Sequence, residues 1–141
     1  MPSAQLDNLA RIGKLKTEPM ARSEFDGLVR SGKLRLKDAT NKTLQPESRF
    51  DLAYNAAHAL SLAALRWHGY RSDNRYLVFQ CLEHTLGIQP AQWRVLDQAR
   101  RKRNLAEYEG DLEIDPTLLD ALIHVTEEVQ KLVTNLVPPR K

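Results

Sequence analysis

Apolar positions recur along this chain at three- and four-residue steps, and no stretch alternates apolar and polar side chains as a half-buried strand would. Leu6, Leu9, Ala10 and Leu15 predict a short amphipathic helix over residues 3–16, weakened at its end by Gly13. Thr17-Glu18-Pro19 breaks that pattern, and Ser23 with Asp26 three residues on resembles a capping arrangement for a second helix. Phe25, Leu28, Val29, Gly32, Leu36 and Ala39 give its inward stripe, with a bend or fraying expected at Ser31-Gly32 because glycine disfavours a helix interior. Residues 41–45 read as a loop. The longest helix opens at Pro46 or Glu47 and runs to about His68, its stripe made of Ala53, Ala56, Ala57, Leu60, Ala63, Ala64 and Trp67. Leu52, Leu62 and Leu65 widen the stripe, so this helix is expected to be central, and Gly69 is placed to end it.

A loop over 70–74 leads to a shorter helix with Leu77, Val78, Cys81, Leu82 and Thr85 inward, ended by Gly87. Pro90 suits the first turn of the next helix, which carries Val95, Leu96, Ala99 and Ala106 and closes at Gly110. Asp115-Pro116 caps and opens the last helix, with Leu118, Leu119, Leu122, Val125, Val129, Leu132 and Val133 on one side. The pattern predicts an all-α fold, an up-and-down antiparallel bundle of four core helices preceded by two N-terminal ones. The chain divides into leading helices over 1–45, a core bundle over 46–136 and a disordered tail over 137–141, all in one domain.

Composition narrows the class without choosing the function. A length of 141 residues suits a single domain with a core of its own, and 42% hydrophobic with 28% charged residues is ordinary for a globular protein. Met1-Pro2-Ser3-Ala4-Gln5 leads into polar sequence, so no secretory signal is expected. No apolar run is long enough to span a bilayer. Cys81 is the lone cysteine and lies on an apolar stripe, which points to a reducing, cytoplasmic setting and away from thiol chemistry. The net charge of +3 is modest, but it is unevenly spread. Residues 94–103 hold five basic side chains against Asp97 alone, and residues 107–115 hold five acidic ones and no basic one. Arg100, Arg101 and Lys102 can therefore form either a solvated helix face or a phosphate-facing, RNA-binding patch.

The apolar stripe of the helix after Pro90 has one gap, and Arg103 fills it. A guanidinium on a core-facing seam must find an anion, a carbonyl or a wet crevice, because burying it alone is very costly. Other chemistries find less support. His58, His68, His84 and His124 fall on four segments with no i, i+4 pair, so no metal site is expected. His58, on the most apolar helix, reads as a hydrogen-bonded core histidine. There is no glycine-rich phosphate loop and no nucleophile elbow. Trp67 and Trp93 lie on helical stripes and read as core or interface residues, and Glu127-Glu128 as a solvated face.

Arg103-Asn104, three residues and then Tyr108 resembles the Arg-Asn-x-x-x-His signature of the HEPN superfamily of small helical proteins. Arg49-Phe50-Asp51-Leu52-Ala53-Tyr54-Asn55-Ala56-Ala57 and His68-Gly69-Tyr70-Arg71 precede it in the order seen in one bacterial branch of that superfamily. The resemblance spans roughly residues 20–136. It implies a metal-independent, cofactor-free ribonuclease site in which Arg103 stabilises the scissile phosphate, Asn104 orients it, and the residue at 108 moves the 2′-hydroxyl proton. It also implies a homodimer with both motifs lining one cleft. At 108 this chain has tyrosine, and a phenol is a poor general base at neutral pH. The resemblance therefore points first to a module with a degenerate ribonuclease motif that binds RNA, a nucleotide or a partner protein, such as a nucleotidyltransferase or an antitoxin. A component of a toxin–antitoxin or defence pair is the implied setting. An active endoribonuclease toxin is one alternative. A purely structural helical interaction domain, with Arg103 in an internal ion pair, is the other.

Overall fold

The structure is a computed structural model that describes residues 4–110 and 113–137. It is an all-α helical bundle with one minimal sheet. In order the chain forms α1 (Ala4–Arg11), β1 (Lys16–Thr17), α2 (Arg22–Ala39), α3 (Pro46–Trp67), β2 (Tyr70–Arg71), α4 (Arg75–Gln80), α5 (Leu82–Thr85), α6 (Pro90–Glu109) and α7 (Pro116–Thr134).

α3 is the hub. It packs against α2, α4, α5, α6, α7 and β2, and Ala53, Ala56, Ala57, Ala63 and Ala64 are fully buried along it. Their small side chains let neighbouring helices approach closely, while Phe25, Phe50, Leu60, Phe79, Leu82, Leu96 and Leu122 fill the spaces between. α2 belongs to the same core through Phe25, Leu36 and Ala39. A second, smaller cluster of Leu6, Leu15, Leu65, Tyr70, Leu77, Val78 and Cys81 seats α1 against α3 and α4. α6 and α7 both start on proline at the first turn, with Gln89 and Asp115 as caps, and Gly110 ends α6 in the left-handed conformation at φ 72°.

Four local expectations are corrected. The first helix stops at Arg11, because Gly13 turns the chain at φ 81° and Lys16–Thr17 pairs antiparallel with Tyr70–Arg71, a segment expected to be loop. Ser23 lies inside α2, whose cap is Ala21 with no side-chain bond. The helix expected over 75–85 is broken at Cys81 into α4 and α5. Val137 is half-buried against the core rather than in a tail; residues 138–141 lie outside the described residues, as do Ser3 and Asp111.

α2 also runs unbroken through Ser31-Gly32, and the reason is tertiary. Gly32 is buried, and a Cβ there would stand 2.5 Å from Cγ of Leu60, whose side chain has no exposure. The glycine is a notch for α3. Gly32→Ala gains about 1 kcal/mol of helix propensity but overpacks Leu60 by about 1–3 kcal/mol, so a net loss of about 1 kcal/mol is expected in urea unfolding.

One buried cation was not legible beforehand. Arg66 of α3 is 1% exposed. Its Nε donates to Glu24 Oε1 at 2.7 Å, Nη1 donates to the Glu18 and Tyr70 carbonyls at 2.9 and 3.3 Å, and Nη2 donates to the Pro19 carbonyl at 2.7 Å. Arg71 adds ion pairs to Glu18 and Glu24. This network joins the β1–α2 connection to the end of α3. No helix among the described residues is long and apolar enough to cross a membrane.

Candidate functional site

The stripe that α6 turns inward is Trp93, Leu96 and Ala99, and its continuation is Arg103 as the spacing requires. At this end of the helix the core thins, so the Arg103 side chain is 31% exposed rather than enclosed. Its Nε donates to Asp51 Oδ1 of α3 at 2.9 Å, and Nη1 lies 3.6 Å from Glu107 Oε1 one turn further along α6. The guanidinium carbon also stands 5.2 Å from the ring centroid of Tyr54, one turn after Asp51. The anion that Arg103 needed is therefore Asp51, reinforced by an aromatic face.

A second guanidinium stands over the same ring. Arg75, the first residue of α4, holds its carbon 5.4 Å from the same Tyr54 ring centroid, and its Nη1 is buried with no hydrogen-bond partner in the protein. His58, one further turn along α3, meets Phe79 edge-on at 6.2 Å between ring centroids. Burial, and then the neighbouring Arg75 cation, push the His58 imidazole down to about 4, so it is neutral at physiological pH. Next along the surface, Arg100 lies over Tyr76 at 5.7 Å and Arg94 over Trp93 at 5.8 Å, while Tyr76 and Trp93 meet edge-on. α3, α4 and α6 thus build a strip in which arginines alternate with Tyr54, Tyr76 and Trp93. Tyr54 and Trp93 are buried, so of the three rings only Tyr76, 39% exposed, offers a face on which a base can stack.

The residues singled out in the sequence are not brought together. Asn104 is exposed, and Tyr108 is 92% exposed. Five residues carry Tyr108 about 140° round the helix from Arg103, and Glu107, not Tyr108, faces the guanidinium. The basic run is internally answered: Asp97 is 2% exposed and accepts from Arg100 Nε at 2.8 Å and Arg101 Nε at 2.9 Å. Lys102 is half-buried near Leu105 and Leu118. Asp51 and Tyr54 sat within a segment carrying the family resemblance, and their i, i+3 spacing was the signal available for them. Arg75 and Tyr76 carried none, since nothing local says which helix α4 faces. Burial pushes the Cys81 thiol up to about 11, which removes it as a nucleophile at neutral pH. Among the described residues no three His, Cys, Asp or Glu side chains are grouped to hold a metal ion. No protein-family model, curated protein or solved structure matches this chain.

Proposed function

We propose that this protein is a HEPN-like helical module that binds RNA at the Arg75–Tyr54–Arg103 cluster and does not cleave it efficiently. The observation that carries the reading is the pair of guanidiniums flanking Tyr54, with the Arg75 Nη1 unpartnered. Arg103, 31% exposed, can turn from Asp51 to a phosphate oxygen without unfolding anything, and the Arg75 guanidinium, whose Nη1 is buried, adds positive charge at the same ring. Tyr76, 39% exposed beside Arg100, supplies a face for a base. Two of the three resembling segments, Arg49–Ala57 and Arg103–Tyr108, meet in this cluster through Asp51, Tyr54 and Arg103, which supports the family reading. The lack of an efficient proton shuttle rests on two groups. Tyr108 points elsewhere, and His58, held near 4, is a weak base.

The purely structural reading draws on the Arg103–Asp51 bond itself. Titration of a labelled single-stranded RNA at several salt concentrations separates the two. The wild type is expected to bind with a marked salt dependence and leave the RNA intact. Arg75→Ala with Arg103→Ala should weaken binding and reduce the salt slope by about 1–2. No RNA affinity at low salt would end the proposal and leave the structural role. Efficient cleavage by the wild type would favour the nuclease alternative.

A further inference from the structure

α2 carries positive charge that no carboxylate answers among the described residues. Arg30, Lys33 and Lys37 are exposed and make no ion pair among the described residues, whereas Arg100, Arg101 and Arg103 are all paired to carboxylates. Arg30 and Lys33 border an open apolar groove of about 600 Å³ between α2 and the end of α7, lined also by Phe25, Val29, Leu34 and Val137 and by Asp26, whose charge is answered by Arg22. Leu34 is 59% exposed, an unusual position for a large aliphatic side chain without a partner.

The complementary surface is on the same chain. The end of α6 presents Leu105 at 50% and Tyr108 at 92% exposure, flanked by exposed Glu109 and, past the helix, exposed Glu113. Neither glutamate makes an ion pair among the described residues. This tip lies beside the start of α7, because Leu105 and Leu118 line one depression, while the groove lies at the far end of α7 beside Thr134. The 19 residues of α7 separate the two by about 28 Å, so the tip cannot fill its own groove.

Charge selects the occupant. Residues 138–141 carry Arg140 and Lys141, of the same sign as the groove's rim, and pairing groove to groove would set Arg30 and Lys33 against their own copies. We propose that two copies join in a reciprocal two-fold dimer, each seating the acidic, aromatic tip of α6 in the other's α2–α7 groove. Two α7 helices lying antiparallel bring each tip to the other's groove, so one rotation closes both contacts and no open chain is left to grow. Tyr108 then serves as an anchor in an apolar slot, with Glu109 and Glu113 against Arg30 and Lys33, the arrangement of a buried aromatic and a charged rim. This assembly does not rest on the RNA-binding reading.

The test is a charge exchange read by sedimentation velocity at tens of micromolar. The wild type should be a dimer. Arg30→Glu with Lys33→Glu, and separately Glu109→Lys with Glu113→Lys, should each raise the dimer dissociation constant by roughly tenfold or more. Mixing the two variants should restore dimers, because both contacts of the mixed pair regain opposite charges. The substituted positions are exposed, and circular dichroism checks that each variant keeps its helices. Zero-length carbodiimide coupling of the wild type should join Lys33 to Glu109 between copies. A wild-type monomer, a dimer indifferent to both double variants, or mixing without recovery would each overturn the proposal. Loss of RNA binding on reversing α2 with the dimer unchanged would also overturn it, and would assign α2 to the nucleic acid.

Discussion

Replacing Arg66 by alanine is expected to destabilise the protein by about 3–5 kcal/mol, the scale of breaking a buried charge network from one side, and to lower the melting temperature by roughly 10–20 °C. The loss has two parts. The Glu18 and Pro19 carbonyls lose their donors where the chain enters α2, and Glu24 loses one of its two cations. Arg66→Lys should recover only part of the loss, since an ammonium cannot serve Glu24 and three carbonyls in the planar geometry the guanidinium uses. The same substitution should change the acid limb of stability. Hydrogen bonds from Arg66 and then Arg71 hold the Glu24 carboxyl below the usual glutamate range. A carboxyl depressed in the folded state stabilises it fully above the unfolded value, about pH 4.3, and loses that contribution as pH falls through the lowered folded value. Urea unfolding at stepped pH should show this loss in the wild type and a flatter profile in Arg66→Ala. A profile unchanged by the substitution would mean that Arg71 alone sets the Glu24 carboxyl.

Asp51→Asn should tighten RNA binding by roughly tenfold at low salt and steepen the salt dependence by about one phosphate contact. In the free protein Asp51 takes the Arg103 Nε, so an incoming phosphate has to displace it. Removing the carboxylate charge leaves Arg103 committed only to Glu107 at 3.6 Å and to the Tyr54 face. The stability cost is expected to stay within about 1 kcal/mol, because the Asp51 side chain is 54% exposed and the pair is screened by water. A loss of several kcal/mol with unchanged RNA affinity would instead identify the Asp51–Arg103 pair as a structural clasp.

How much of this could be read from the chain alone depends on how local each feature is. The helices around Pro46, Pro90 and Pro116, and their ends at Gly69 and Gly110, follow from turn-by-turn chemistry, and so they were legible. The central place of α3 followed from its apolar width and its many alanines. That Arg103 required an anion was also legible, because the stripe it interrupts is a property of one helix. Its partner was not, since Asp51 lies 52 positions away and only the packing of α3 on α6 places the carboxylate there. The same holds for Gly32, which reads as a helix defect by propensity and proves to be the notch for Leu60. It holds again for Lys16–Thr17 and Tyr70–Arg71, pairs too short to carry a period, which form strands because the Arg66 network holds their neighbours in place. Asp97 is the contrasting case: it lies one turn before Arg100 and Arg101 on α6, so the spacing that pairs them was already present in the sequence. Periodicity and capping act within about one helical turn, so the sequence settles which segments are helical and which faces turn inward. Pairs such as Arg103–Asp51 and Arg66–Glu24 are set across helices, and only the packed bundle decides them.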